Sequence, residues 1–528
     1  MAEAGILGVR AGTGVRLSTW MIGILFVSAS IVIFLLNTHR GIGVLPDTTR
    51  YMRLGPMSYD APLYTWLLDL IRASGTSFLS GARALALVFV AANTWLLWST
   101  LLRGAGKPAY AAAGTALIVL SPQFVGLHAV AMSEAVFLFA LLVVVLSFLE
   151  YLESGRNGWL LACGLALGLA MLVRFTAAPM AIAMAAVLLF DPRRALRRRF
   201  IDIGVLAVVS GVIFLGWAIV SELTTGRSTG RAFAFNGNAD FSVWWGGVEA
   251  LSTFLLPGQI PAAARIAFLF GVTGVVGWLA VRHGRRVLGT VASGDSPGDQ
   301  AIPVIWALFV AAYIPFMVLA ISIEANLTFD GRYVLPLYIA LTIVGICAAA
   351  SWSSTHPNRL VLWTLAVLAT LVIASHLVRT TDRTRENYVR GIGYSGVEWT
   401  SSPVVGAVAA LPADAVIFSN APDALNYLTP RKTAFIPMKT HPRTGREDPA
   451  NTVRDVIERM RRSLAAGNGY IVFLDGVDWR FYTMTEAEVV RALRPALIRR
   501  EPDGRIYGPA SPPRAGQAPP PDNRPQGG

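Results

Sequence analysis

The sequence is poor in the residues that build disulfides and metal centres, with two cysteines and six histidines among 528 residues. Cys163 and Cys347 both lie in apolar stretches and are expected to be small packing residues, so no disulfide is predicted. No internal repeat is visible, which argues against a transporter built from duplicated halves. No small-residue cleavage site follows the first apolar block, so we expect that block to be a retained span.

Charged residues are also scarce, at 15% of the chain, whereas 54% of the residues are hydrophobic. The mean hydropathy of +0.53 is far above that of a soluble domain, and the apolar residues come in blocks of about 20, long enough to cross a bilayer. We therefore predict a polytopic α-helical membrane protein with about eleven transmembrane helices. The predicted spans are residues 18–36, 81–102, 109–127, 131–149, 158–174, 176–190, 200–221, 262–281, 303–322, 333–350 and 360–378.

Acidic residues are outnumbered by basic ones, 32 against 45, which gives a net charge of +13. The basic clusters fall in alternate short loops, the strongest within residues 193–199, and such loops stay in the cytoplasm. This pattern predicts a cytoplasmic N-terminus and places residues 41–80 and everything after residue 377 outside the cytoplasm. Because topology and anionic lipid headgroups explain much of the positive charge, we expect membrane lipids and not nucleic acid as partners.

The composition changes after residue 378, where short β-branched runs alternate with amphipathic helices. We predict a transmembrane domain over residues 1–378, an extracytoplasmic α/β domain over 379–510 and a disordered Pro- and Gly-rich tail over 511–528. The α/β domain should contain a parallel layer and a hairpin at Asp503–Gly504. Its predicted strands are residues 415–420, 433–438 and 469–475, and its predicted helices are residues 421–428, 451–467 and 485–497. No Gly-rich phosphate loop follows the first strand, so the fold alone does not predict a nucleotide site.

Several polar side chains recur at the predicted outer ends of the spans. They include three acids, two arginines and three tyrosines, namely Asp47, Tyr51, Asp60, Tyr64, Glu134, Arg174, Arg332 and Tyr333. Their local sequences are PDTTRY, YDAPLY, AMSEAVF, LVRFTA and DGRYVLPLY. Ionised groups at the edge of a bilayer are costly unless they face a wet cavity or a partner, so they mark a candidate site.

These motifs, in this order and on one side of the membrane, resemble those of the GT-C fold membrane glycosyltransferases, most closely the family 39 type. That group includes protein O-mannosyltransferases, lipid A aminoarabinose transferases and lipopolysaccharide-core galacturonosyltransferases. The resemblance implies a GT-C-like catalytic domain, and the short basic inner loops favour the plasma membrane of a bacterium. The resemblance also implies transfer of a sugar from a polyprenyl-phosphate donor to an extracytoplasmic acceptor, which could be a lipid, a glycan or a protein.

The chain departs from the pattern of many relatives at two places in the first loop. Asp47 is followed by Thr48 where relatives often have a second acid, and Asp60-Ala61-Pro62 stands where they often have His-Pro-Pro. No metal ligand is therefore predicted, although a divalent metal stays open as a cofactor.

The resemblance and the chemistry together assign roles to these residues. A phosphate leaves as a stable anion and needs cations more than a second acid, so one base and a pair of arginines can suffice. We expect Asp47 to be the catalytic base and Arg332, with Arg174, to hold the phosphate in an inverting transfer. The other side chains of the set are expected to contact substrate.

Each assignment has a structural alternative. Asp47 and Asp60 both stand where a helix N-cap is expected, and for Asp60 the N-cap is the favoured interpretation. Tyr51 could be an interfacial anchor, Glu134 could form a structural pair with Arg174, and Arg332 could extend toward the headgroups. At the level of the whole protein, the alternatives are a transporter or flippase of lipid-linked sugars and a non-catalytic envelope assembly protein.

Overall fold

The computed structural model describes residues 13–54, 61–226, 229, 235–237, 240–356 and 358–509. Asp60 and the predicted tail at 511–528 lie outside the described residues. The chain divides into two compact units, Met1–Val397 and Glu398–Gly528. The domain boundary predicted at residue 378 falls inside the last long helix, which continues to Arg390.

The regular secondary structure in the described part of the first unit is helical. Its α-helices are α1 (Thr13–Asn37), α2 (Pro46–Tyr51), α3 (Leu63–Ala73), α4 (Phe78–Ala105), α5 (Pro108–Val119), α6 (Pro122–His128), α7 (Glu134–Ser154), α8 (Asn157–Val173), α9 (Ala178–Leu189), α10 (Leu196–Thr225), α11 (Phe241–Leu255), α12 (Ala262–Ala292), α13 (Ala301–Ile323), α14 (Gly331–Thr355) and α15 (Arg359–Arg390). Each predicted span overlaps at least one of these helices.

Among the described residues, eight helices are long and apolar enough to cross a membrane, or nine if α5 and α6 form one broken span. The protein is therefore a multi-pass membrane protein, as predicted, whereas the count of eleven stays a prediction because α8 and α9 are shorter. The predicted span at 109–127 is bent by 61°. Ser121 caps α6 by accepting the Phe124 N–H at 3.2 Å, and Pro122 occupies the first helical position, so a new helix starts there.

Small residues allow two of the helices to approach closely. A Cβ added at Gly164 or Gly168 of α8 would lie 2.9 Å or less from a side-chain atom of Val209 or Ile213 in α10. The spacing is that of a G-x-x-x-G motif, which lets helix backbones pack tightly in a membrane. This contact fixes α8, whose C-terminal cap is Arg174.

The second unit is a five-stranded mixed sheet with helices. Its elements are α16 (Val397–Thr400), α17 (Pro403–Ala409), β1 (Val416–Ser419), α18 (Pro422–Leu428), β2 (Thr433–Phe435), α19 (Val453–Ala465), β3 (Gly469–Leu474), α20 (Glu486–Leu493), β4 (Ala496–Glu501) and β5 (Gly504–Gly508). The strand order is β2-β1-β3-β5-β4. The first three strands are parallel and β4–β5 is an antiparallel hairpin, so the α/β fold class is confirmed.

The helix predicted at 485–497 is too long by several residues. Arg494 adopts a left-handed conformation with φ of 46° and caps α20, and Pro495 follows it. A proline disfavours a helical residue before it, so the chain leaves the helix and continues as β4.

A buried ion pair stabilises the second unit. The Arg480 guanidinium contacts the Asp423 carboxylate at 2.6 Å and donates to the Asn420 carbonyl at 2.7 Å. It also lies over the Phe435 ring, 5.1 Å from its centroid. The pair ties the loop after β3 to the start of α18.

We expect Asp423→Ala to destabilise this unit by about 3–5 kcal/mol, because it leaves the guanidinium buried without its carboxylate. Glu458→Ala is the matched control, since its partner Arg461 is 53% exposed and exposed pairs contribute little. The midpoint of thermal unfolding of the detergent-solubilised protein measures both. Equal midpoints for the two variants would contradict the prediction.

Candidate active site

Asp47 lies in the first turn of α2 and bridges two arginines. Its Oδ1 accepts a hydrogen bond from Arg50 Nη1 at 2.8 Å, and its Oδ2 accepts one from Arg332 Nη1 at 2.8 Å. The N-cap position belongs to Leu45, so the alternative that Asp47 is the helix cap is wrong. Each carboxylate oxygen has two acceptor sites, so Asp47 can still accept a further hydrogen bond.

Two contacts fix the short helix that carries Asp47. Gly43 N donates to the Ala129 carbonyl at 2.9 Å, and the buried Thr48 hydroxyl donates to the Ala131 carbonyl at 3.0 Å. The first loop is thus anchored to the segment between α6 and α7, and Asp47 is held in a defined place.

Arg332 stands at the first turn of α14, where two acids meet it. Asp330 caps the helix by accepting the Arg332 backbone N–H at 2.9 Å, and its carboxylate also lies 3.3 Å from Arg332 Nη2. The guanidinium is therefore shared between Asp47 and Asp330. The Asp47 contact joins the side chain to the first loop, so Arg332 does more than extend toward the headgroups.

Arg50 and Arg332 lower the pKa of the Asp47 carboxyl. Burial alone would raise the pKa of the carboxyl, but the positive charges and hydrogen bonds of Arg50 and Arg332 outweigh it. The net effect lowers the pKa below the usual 3.8. Asp47 is therefore ionised at neutral pH.

Glu134 and Arg174 form a second ion pair beside the first. Glu134 Oε1 lies 2.7 Å from Arg174 Nη1, and the Glu134 side chain is only 5% exposed. The other carboxylate oxygen, Oε2, is buried and has no hydrogen-bond partner among the residues that the structure describes. The pair that the sequence analysis gave as the structural alternative is therefore present, and it leaves one carboxylate oxygen without a hydrogen bond among the described residues.

Three tyrosines pack around these charges. The rings of Tyr51 and Tyr64 meet edge to face with centroids 5.0 Å apart, and the Tyr51 hydroxyl lies 3.5 Å from Ser133 Oγ. Burial, reinforced by the negative charge of Glu134, raises the pKa of Tyr64, which keeps its hydroxyl neutral. Tyr333 contributes its ring, whose centroid lies 5.3 Å from Arg174 Cζ.

A pocket lies among these groups, with about 420 Å³ of empty space that includes open solvent. Its polar lining includes Glu134, Arg174, Arg332 and Tyr333, and its apolar lining is Phe137, Leu138, Leu141, Trp306, Leu335, Pro336 and Ile339. Asp47, Tyr51 and Tyr64 do not line it. Asp47 is nevertheless in direct contact with Arg332, which does.

The structure adds residues to the site that sequence analysis did not single out. Arg50 follows Asp47 by three positions on a helix, a spacing that brings two side chains together. Asp330 precedes a glycine at a helix start, which is an N-cap signal. Tyr313 donates its hydroxyl to the Tyr333 carbonyl at 2.9 Å, and nothing in the sequence pointed to it. Within the described residues, no group of three or more His, Cys, Asp or Glu side chains could hold a metal ion.

Comparison with known proteins gives matches of two kinds. Residues 59–217 match the family described as dolichyl-phosphate-mannose-protein mannosyltransferase. The matched region contains Tyr64, Glu134 and Arg174, whereas Asp47 and Arg332 lie outside it. No curated protein sequence matches the chain significantly.

Solved structures show the fold. The chain is similar to the crystal structure of ArnT from Cupriavidus metallidurans bound to undecaprenyl phosphate, with 13% identity, a TM-score of 0.53 and coverage of 95% of this chain and 99% of ArnT. It is also similar to the arabinofuranosyltransferase AftD from Mycobacteria, with 14% identity, a TM-score of 0.52 and coverage of 92% of this chain and 39% of AftD.

The likeness to ArnT extends over nearly the whole of both chains, so the architecture is shared although the sequences have diverged. The family match supports the predicted glycosyltransferase activity. The resemblance inferred from the loop motifs is confirmed: the chain has the GT-C fold of membrane glycosyltransferases and matches the family 39 type over residues 59–217.

Proposed function

We propose that the protein is an inverting glycosyltransferase that moves a sugar from a polyprenyl-phosphate donor to an extracytoplasmic acceptor of the cell envelope. The observation that carries this proposal is the 2.8 Å contact between Asp47 and Arg332, beside a cavity lined by Arg332 and Arg174. This contact supports the proposal that the Asp47 carboxylate accepts a proton beside guanidinium groups that hold a phosphate. The undecaprenyl phosphate bound to ArnT, which has the same fold, supports a lipid phosphate as the leaving group.

In the proposed reaction, the acceptor hydroxyl donates its proton to the Asp47 carboxylate as its oxygen attacks the anomeric carbon. The bond between that carbon and the phosphate oxygen breaks on the opposite face, so the configuration inverts. The polyprenyl phosphate departs with the electron pair of the broken bond. Its growing charge is stabilised by guanidinium groups already in place, which is where an enzyme gains most of its rate.

Arg332 and Arg174 suit the phosphate because each guanidinium has five N–H donors in a fixed fork. Arg332 uses Nη1 and Nη2 on two carboxylates, and Arg174 uses Nη1 on Glu134 and Ser133. Both retain donors for oxygens of the leaving group. As the phosphate attracts Arg332, its hold on Asp47 weakens, which makes that carboxylate a stronger base at the moment of transfer.

The remaining polar groups are proposed to bind the sugar and its surroundings. Glu134 Oε2, buried without a partner, is an acceptor for a sugar hydroxyl. Tyr333 offers an aromatic face at the pocket, and Tyr51 and Tyr64 pack edge to face with ring centroids 5.0 Å apart. Asp60 is retained as a substrate contact on the basis of sequence alone.

The proposed location is the plasma membrane, with the N-terminus in the cytoplasm and the second unit outside it. The basic inner loops support this orientation. A donor already carried across the membrane on a lipid fits a site on the outer side, where nucleotide sugars are not supplied.

The activity can be tested with purified protein in detergent, polyprenyl-phosphate sugars and candidate acceptors. Release of polyprenyl phosphate together with a glycosylated acceptor supports the proposal. The flippase alternative would be supported if the donor stayed intact with every acceptor and the protein moved it across a proteoliposome membrane.

We expect Asp47→Asn to lower kcat by about 10²–10⁴-fold, because the isosteric amide cannot accept the proton. Donor binding should persist, since Arg332 and Arg174 remain. The measurements are steady-state rates and equilibrium binding of polyprenyl phosphate. A variant with wild-type kcat would remove Asp47 from the mechanism.

We expect Arg332→Lys to raise the KM for the donor about tenfold or more, because a point charge cannot replace the bidentate fork. Arg332→Gln should be worse, since it also removes the charge. Arg286→Gln is the matched control: its guanidinium contacts Ser351 and Thr355 at the other end of α14. A donor KM that is the same in the lysine variant and the control would refute the phosphate role.

The pH dependence of kcat/KM tests the control of Asp47. Because the base must be deprotonated and its pKa is lowered, activity should persist to below pH 3.8 on the acidic limb. Arg50→Gln removes one cation that stabilises the carboxylate, so the limb should move to higher pH. Arg53→Gln is the control, because Arg53 is exposed and pairs with Asp69. An unmoved limb in the Arg50 variant would contradict the assignment of Asp47 as the base.

A further inference from the structure

The segment that leads into Arg332 rests on α11, a helix distant in sequence. The ring of Phe329 packs against Trp244, edge to face, with centroids 6.1 Å apart. On the next turn, a Cβ added at Gly247 would lie 2.1 Å from Phe329 Cδ1 and 2.8 Å from Cγ. Trp244 and Gly247 are three positions apart and so share one face of the helix. Together they form a slot that the Phe329 ring fills.

The same face of α11 continues past Arg332. Phe254 is 1% exposed and packs against Tyr338 with ring centroids 5.0 Å apart. A Cβ added at Gly331, the residue directly before Arg332, would lie 4.0 Å from the Phe254 ring. The helix therefore contacts the chain on both sides of the arginine.

The C-terminal end of α11 is fixed to α15. Arg379 Nη1 donates to the Thr253 carbonyl at 2.6 Å, and Arg379 Nη2 lies 3.2 Å from the Phe254 carbonyl. His376 Nε2 lies 2.6 Å from the same Phe254 carbonyl. A cation at the C-terminal carbonyls of a helix is favourable, so α11 is a firm support and not a loosely attached surface helix.

We propose that α11 is the positioning element for Arg332, and that it acts through the Phe329 ring seated on Gly247. The inference rests on the proposed function, in which Arg332 holds the donor phosphate. Between the end of α13 and the start of α14 the chain is not helical, so its path is set by contacts with neighbours. The Phe329 contact holds that path three residues before Arg332.

The two adjacent glycines of α11 make this inference testable. Gly247 is buried under Phe329, whereas a Cβ at Gly246 would meet nothing within 4 Å. Alanine favours a helix interior over glycine at either position. The two Gly→Ala variants therefore have the same effect on helix propensity and differ in what they do to Phe329.

The test compares Gly247→Ala, Gly246→Ala, Phe329→Ala and the Gly247→Ala/Phe329→Ala double variant in the full chain. Activity is measured against donor and acceptor concentration separately. Hydrogen exchange of peptides covering residues 327–334 gives a readout that needs no substrate. Because a 1 Å displacement of a positioned group can cost about 100-fold, we expect Gly247→Ala to lower kcat/KM for the donor by about 10- to 100-fold and to leave the acceptor KM unchanged.

Gly246→Ala should have the kinetic constants of the wild type. Hydrogen exchange over residues 327–334 should rise in Gly247→Ala and stay unchanged in Gly246→Ala. Adding Gly247→Ala to the Phe329→Ala background should cost little more, since the clash is already absent. Should Gly247→Ala prove too unstable to purify, Phe329→Ala must still raise both the donor KM and the exchange of this segment.

Equal donor KM and equal hydrogen exchange in the two glycine variants would overturn the inference. It would also be overturned if Gly247→Ala lowered kcat/KM as much in the Phe329→Ala background as in the wild type. Failure of the proposed function looks different, because the wild type would then release no polyprenyl phosphate from any donor. The exchange measurements would still decide whether α11 positions Arg332.

Discussion

The ion pair between Asp47 and Arg332 joins two parts of the chain that lie 285 positions apart. Charges at the edge of a membrane domain are costly when unpaired, so the pair constrains both the first loop and the start of α14. In the first loop, the hydrogen bond from Thr48 to the Ala131 carbonyl fixes α2 and so positions Asp47. At the start of α14, the Asp330 cap fixes the backbone of Arg332. The geometry of the candidate site follows from these two local arrangements.

Among the described residues, the ionised groups of the site are equal in number for the two signs. Three guanidinium groups, of Arg50, Arg174 and Arg332, face the three carboxylates of Asp47, Glu134 and Asp330. Such pairing lowers the cost of burying the charges without a ligand, and replacing one partner would leave a buried charge. Since each guanidinium has more donors than acids to serve, an anionic ligand can bind without breaking every pair. Balance at rest and affinity for a phosphate are therefore compatible.

Much of the fold was accessible from sequence because it depends on local patterns. Apolar blocks predicted the helices, and alternating runs predicted the sheet of the second unit. The break at Ser121-Pro122 and the end of α20 before Pro495 were missed, although both carry a local signal. In each case an apolar run continued past the signal and suggested a longer element.

The site was only partly accessible for a different reason. Motif order predicted Asp47, Glu134, Arg174 and Arg332 as site residues, and a Glu134–Arg174 pair was one of the alternatives, but no local pattern shows that Asp47 meets Arg332. The support of Arg332 by Gly247 is also invisible in sequence, since the partner ring is far along the chain. Contacts of this kind are set by packing, and only the assembled helices show them.

Glu134 Oε2, which has no hydrogen bond among the described residues, bears on what the site binds. Folded proteins pair nearly all buried polar atoms, because each unpaired one costs about 1–3 kcal/mol. Here the other oxygen is held by Arg174, and the same carboxylate lines a cavity. This arrangement supports the proposal that a hydroxyl-bearing ligand donates to Oε2 on binding, while Arg174 holds the carboxylate in place.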